Sequence, residues 1–245
     1  MKATLSILLL ALLTLSSSGQ DFDFTYHSDY PTVLARTQAK TDKLYYPKQV
    51  KRFVQNDPSL TDFEVLALMI GFTAEKQYDA YGDLDTERAI YKLNDTGKHR
   101  EAVRKGRSFN KTHPLHQMTL IELSFAYHQL QKPDSSAYFG RQFQRIMDAM
   151  ALSGSGLHPD SALFSLTPVD GQNFIRKYLD ADIGTMGSNT DKHGHFLDVL
   201  EYVSQEDGAK LPLYFNIEHA SKQLKKQLRE KNAKAQVQQP KTKSQ

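Results

Sequence analysis

The chain has 245 residues, 39% hydrophobic and 24% charged, enough to bury a core and too mixed for a collagen-like or wholly disordered protein. It contains no cysteine, which excludes a disulfide framework, thiol catalysis and cysteine-ligated metal clusters. Its net charge of +3 hides a tail of +7 from Lys222 onward and a body of −5 between Gln20 and Ser221, a sign that repels phosphate backbones and excludes nucleic acid as the body's partner.

Lys2, the apolar run Leu5 to Leu15 and the small residues Ser17, Ser18 and Gly19 have the order of a secretory signal peptide. The run is too short to span a bilayer, which takes roughly 20 apolar residues. Residues 1–19 are therefore expected to be removed near Gly19. With no cysteine to lipidate, the mature form is expected to be soluble, without a membrane anchor, and secreted or periplasmic. Residues 20–43 are polar with scattered aromatics and read as an N-terminal arm or a short helix.

From residue 44 the pattern becomes helical. Pro47 suits a first helical turn, and Val50, Phe53 and Val54 make one apolar stripe ending at Asn56-Asp57-Pro58. Thr61 and Glu64 form a capping box, with Leu60 and Val65 as the hydrophobic staple. The helix they start, running to Gly71, is apolar on every side from Val65 to Ile70, which predicts the centre of the N-terminal core.

Residues 89–147 follow the 34-residue tetratricopeptide spacing. Ala102 takes the small position of one helix, Leu120, Leu123, Ser124 and Tyr127 the positions of the next, and Ser136 the following small site. Gly106 and Phe109 depart from the pattern, and fewer than three repeats are present, so the expectation is helical hairpins fused to another layer. Asp134 is placed as the cap of a further helix that Ser153-Gly154-Ser155-Gly156 ends.

Past Gly156 the period shortens. Ala162, Phe164 and Leu166 alternate like a strand, Phe174, Ile175, Tyr178 and Leu179 return to helical spacing, and Asp180 to His195 reads as a polar loop. Phe196 to Val203 and Lys210 to Ile217 read as strands about an Asp207-Gly208 turn. The fold class is thus α+β: a tetratricopeptide-like antiparallel helical layer over 44–152, packed with a small antiparallel β-sheet in an α+β region over 153–228. Residues 229–245, rich in Lys and Gln, are assigned to a disordered basic tail reached through a frayed helix.

The order Tyr45-Tyr46-Pro47, Arg52-Phe53, Asn56-Asp57, Leu60-Thr61, Gly71-Phe72, Tyr78 and Tyr81-Gly82 resembles the family catalogued as domain of unknown function 4919. Ser153-Gly154-Ser155-Gly156 with Pro159 and Ala162, then Leu213-Tyr214-Phe215-Asn216-Ile217, resemble its later motifs. The resemblance covers roughly residues 44–220 and implies an exported protein of Bacteroidota-type bacteria. It implies no activity and no catalytic residue. Ala67-Leu68-Met69-Ile70 stands where relatives carry a tyrosine-rich run.

Four clusters carry candidate chemistry. Asp191, His193, His195 and Asp198 offer metal-ligand types within eight residues, but a strand starting at Phe196 sets His195 and Asp198 on opposite faces, and a solvated loop is preferred. Asp79, Asp83 and Asp85 with Tyr78 and Tyr81 could bind sugar or calcium, or cap a helix with the tyrosines packed beneath, the simpler reading. Ser153 and Ser155 near His158 lack the strand and the G-x-S-x-G of a nucleophile elbow and read as linker. Lys98, Arg100, Arg104, Lys105, Arg107 and Lys111 make a basic face, either solvated or able to hold a partner's carboxylate. Asn94-Asp95-Thr96 and Asn110-Lys111-Thr112 are glycosylation sequons only in a eukaryotic secretory pathway.

No cofactor, metal or catalytic residue is assigned. The leading expectation is a non-catalytic module that binds a protein or peptide partner through its helical hairpins. The alternative is an envelope hydrolase with a site between the helical layer and the sheet, and a purely structural protein is a third option. A cleft gathering His193 or His195 with Asp79, Asp83 or Glu201 would favour the enzyme. A basic or apolar concave face would favour binding.

Overall fold

The single proline-led turn and the capping box read from the sequence both start helices in the computed structural model, which describes residues 24–238. The assigned signal peptide at 1–19 and the last residues of the basic tail lie outside the described residues. Within the stretch read as an arm or a short helix, α1 spans Tyr26–Gln38. Its entry is fixed by the Thr25 N–H, which donates to the Asp29 carboxylate at 2.7 Å, and it buries Val33 and Thr37. α2 spans Tyr46–Val54 with Pro47 in its first turn. α3, Asp62–Phe72, starts at the Thr61–Glu64 capping box, and every residue from Val65 to Phe72 is buried. An all-apolar helix has no face to give to water, so α1, α2 and the later long helix α7 (Pro133–Leu152) enclose it.

The next helices are antiparallel pairs. α4 (Leu84–Asp95) turns at Gly97, whose φ of 73° favours glycine, into α5 (His99–Asn110). α6 (Gln117–Gln129) packs on α5 and then on α7. Gly106 departs from the repeat pattern for a spatial reason: a Cβ there would stand 2.9 Å from the Leu123 side chain. The α6–α7 contact uses the predicted small residues, with the Ser124 hydroxyl donating to the Ser136 carbonyl at 2.9 Å. Asp134 does not cap α7. The helix begins at Pro133 after Lys132, and Asp134 lies inside the first turn, where a negative charge favours the helix dipole without bonding an end amide.

The fold class is α+β, with a four-stranded sheet in the order β1-β4-β3-β2 following the helical layer. β3 (Phe196–Val203) and β4 (Lys210–Asn216) pair antiparallel, with Leu213, Phe215 and Ile217 turned to the core. Two details differ from the sequence reading. β1 is only Leu163–Phe164 and runs parallel to β4, so the sheet is mixed. The polar stretch read as a loop contains β2, Asp182–Thr190, an edge strand along β3. β2 is exposed along nearly its whole length, so it buries no apolar face, shows no alternation, and is held by backbone pairing. Between β1 and β2 lie α8 (Pro168–Asn173) and a π-helical turn over Phe174–Tyr178. α9 runs from Glu218 to Gln238, so residues 229–238, assigned to the disordered tail, are helical. Lys, Gln, Arg and Glu are good helix formers even where nothing is buried. Among the described residues no helix is long and apolar enough to cross a membrane.

Candidate functional site

A groove of about 800 Å³ opens where α2, α5 and α7 meet. Its floor is built by joining two helices. The carbonyls at the C-terminus of α2 are met partly by the following turn, where the Asn56 N–H donates to Phe53 O at 2.9 Å, and partly by α7: Gln142 Nε2 donates to the Phe53 and Val54 oxygens, each at 3.3 Å, and the Tyr138 hydroxyl also donates to Val54 O. Asn56, left-handed at φ 53°, ends the helix and returns a bond from Nδ2 to the Tyr138 carbonyl at 3.1 Å. Val50, Val54, Tyr138 and Phe139 line this floor, and Val54 is 41% exposed.

The opposite wall comes from the end of α5. Arg107, Asn110 and Lys111 line it, with Tyr127 of α6 behind. Arg107 Nη1 donates to the Tyr127 hydroxyl at 3.5 Å. Lys51 faces them from α2, and Asp134 is the one acidic residue in the lining. Of the basic row read from the sequence, Arg107 and Lys111 reach the groove, whereas Lys98, Arg100, Arg104 and Lys105 are not among its lining residues.

A second cluster sits on the other side of the residue 111–116 loop. Glu87 on α4 and Asp83 just before it meet His116 and His113, with Glu87 Oε2 3.7 Å from His116 Nε2 and Asp83 Oδ2 3.5 Å from His113 Nε2. His113 Nε2 donates to the Gln77 carbonyl at 3.0 Å. His116 Nδ1 accepts the Thr119 N–H at 3.2 Å and so caps α6. That bond fixes the tautomer, because an accepting Nδ1 leaves the ring hydrogen of the neutral imidazole on Nε2, aimed at Glu87. Asp170 of α8, behind them, accepts the Thr167 N–H at 2.9 Å.

Burial dominates the electrostatics of this cluster. It pushes Glu87 up to about 7, helped by the charge of Asp170, and Asp170 up to about 7 despite the bonds from Thr167. Burial likewise pushes Asp83 up to about 6, while His113 pulls the other way. It drives His116 down to about 4, so that ring is neutral at pH 7. The cavity between Asp83, His116, Asp170, Tyr78 and Leu166 has a volume of about 10 Å³. That is room for about one water, far below a substrate pocket. Protons can be held here near neutral pH, but a substrate does not fit in this closed form.

The other sequence candidates separate. His195 Nδ1 lies 2.6 Å from Asp191 Oδ2, His193 stacks on His27 of α1 with ring centroids 3.8 Å apart, and Asp198 belongs to β3. Burial raises the Asp191 carboxyl, but the amides of His195 and His193 and the His195 ring outweigh it and hold it below the usual range. Among the described residues no group of three or more His, Asp or Glu is arranged to hold a metal ion. Asp83 occupies the position before α4 without capping it, because its carboxylate faces His113. Asp79 accepts the Gly82 N–H, and Asp85 is exposed beside Arg88. Tyr78 is packed under the loop, its hydroxyl donating to the Leu166 carbonyl at 2.6 Å. Ser153 is buried and accepts the Phe164 N–H at 2.7 Å, and the Ser155 hydroxyl meets Ser161 at 2.8 Å, so both serve the linker. Neither His193 nor His195 reaches Asp79, Asp83 or Glu201, whose carboxylate instead accepts the Thr185 N–H.

His113, His116, Glu87 and Asp170 escaped the sequence reading. His113-Pro114-Leu115-His116 is a visible pair of imidazoles, but each carboxylate partner lies about 30 or more residues away.

The family model described as Domain of unknown function (DUF4919) matches residues 32–227. No curated protein and no solved structure matches the chain.

Proposed function

Since the chain belongs to the DUF4919 family, whose description carries no activity, we propose from the geometry that it is a non-catalytic interaction module that docks a protein or peptide partner in the groove between α2, α5 and α7. One observation carries this reading: the opening of about 800 Å³ has an apolar floor and a cationic wall, whereas the acid–histidine cluster has about 10 Å³. An exposed Val54 beside Tyr138 and Phe139 is the kind of apolar surface that a partner covers. Residues 1–19 fit this role as an export leader for a soluble envelope or secreted protein, which N-terminal sequencing of the secreted form tests.

The experiment is selection of binders from a degenerate displayed-peptide library with the mature chain, in parallel with Val54→Asp, which sets a charge on the groove floor. Binders that Val54→Asp loses support the reading. A library that yields none, or only binders indifferent to this substitution, overturns it.

The two carboxylate–imidazole pairs favour one second reading, an envelope hydrolase acting at the junction of the helical layer and the sheet region. Turnover of an ester, glycoside or peptide panel, lost in both His113→Gln and Glu87→Gln, would establish it in place of the first.

A further inference from the structure

We infer that the groove takes an acidic, extended peptide segment in which Asp or Glu alternates with apolar side chains, a conclusion that rests on the docking role proposed above. The lining is unbalanced in charge. Lys51, Arg107 and Lys111 stand around the opening against Asp134 alone. Among the described residues none of these three cations has an ion-pair partner within 4 Å, although Arg52, the next residue on α2, is held by Asp57 at 2.7 Å and Glu64 at 2.9 Å. Free cations at one opening run against the body's net charge of −5, so the excess is local to the groove.

The hydrogen-bond inventory points the same way. Lysine and arginine only donate. Asn110 stands beside them in the lining, with an Nδ2 that has no hydrogen-bond partner among the described residues. The ligand that satisfies this wall is rich in acceptor oxygens and negative.

The floor decides which anion. Val50, Val54, Tyr138 and Phe139 offer apolar contact that a bare phosphate or a nucleic-acid backbone does not use. The negative body also disfavours a long polyanion. A peptide with carboxylates on one side and apolar side chains on the other matches both walls, and about 800 Å³ is within the range of pockets that enclose ligands of this size.

The test sequences the groove-dependent binders, those that Val54→Asp loses, and then titrates the strongest by fluorescence anisotropy. Net negative binders are expected. Their affinity should fall at least tenfold in the double substitution Arg107→Gln with Lys111→Gln and fall again as salt rises from about 50 to about 300 mM. A matched peptide with Gln and Asn in place of Glu and Asp should bind both proteins equally. Both arginine and lysine sites are exposed, and thermal melts of the double variant confirm folding. Groove-dependent binders that are neutral or basic, or an acidic binder untouched by the double substitution, overturn the charge assignment while leaving docking intact. Absence of any groove-dependent binder removes the docking role itself.

Discussion

The residue 111–116 loop has two faces, and they are built oppositely. Toward α2 it presents Lys111 and Pro114 to an open groove whose cations have no ion-pair partner within 4 Å among the described residues. Toward α4 and α8 it presents Leu115 and His116 to a closed cavity whose carboxyls, Asp83 and Asp170, are driven toward neutral and whose histidine is driven away from charge. Charge kept in water is available to a ligand, whereas charge taken from water is suppressed and becomes part of the packing. The closed face gathers the buried titratable groups, but the docking proposed above uses the other one.

Substitutions on the two faces should therefore differ in kind. Leu115, fully buried beside the cluster, gives the largest effect: Leu115→Ala should cost about 2–5 kcal/mol in urea unfolding. A cost below about 1 kcal/mol would mean the closed face is loosely packed.

Asp170→Asn sharpens the electrostatic half. The carboxyl titrates near 7 in the folded chain and near 3.9 when unfolded, so the folded state holds a proton that the unfolded state has lost between those values. This contribution is present below about pH 4 and lost as pH rises through about 7. Asn keeps an acceptor for the Thr167 N–H but does not titrate. The variant should gain about 2–3 kcal/mol on the parent between pH 5 and pH 8, and parallel stability curves would contradict the burial of that carboxyl. His116 works with the opposite sign in both proteins: its depressed value favours the fold as pH rises from about 4 to about 6.5, so it cancels in the difference.

Gly106→Val tests the wall between the faces. Its Cβ would lie 2.9 Å from Leu123, and the overpacking should cost about 1–3 kcal/mol, read as a lowered Tm. An unchanged Tm would show that α5 and α6 can separate freely. The smallest stability effect is expected from Arg107→Gln with Lys111→Gln, within about 0.5 kcal/mol, since both side chains are exposed. A large loss would make them structural instead of ligand-facing.

Local signals were legible from the sequence wherever neighbours along the chain settle the outcome. Thr61 and Glu64 start α3, and the apolar run Val65 to Ile70 is the buried centre. β2 was hidden because an edge strand exposed along nearly its whole length needs no apolar period. Asp134 was misplaced as a cap because Pro133 already starts the helix. The acid–histidine cluster was illegible because Asp83, Glu87, His116 and Asp170 meet only through the packing of α4 and α8 against one loop. Half of the groove could be read, since the basic row included Arg107 and Lys111. Its apolar floor depends on Tyr138 reaching back to Val54, a contact between residues 84 positions apart.

The two faces are told apart most directly by NMR, mapping amide shifts of the mature chain as a groove-selected acidic peptide is added. The shifts should concentrate at Val54, Arg107, Asn110 and Tyr138 and leave Glu87 and Asp170 in place. Shifts centred on Asp83, Glu87, His116 and Asp170, with the groove silent, would contradict the account and move the working site to the closed face.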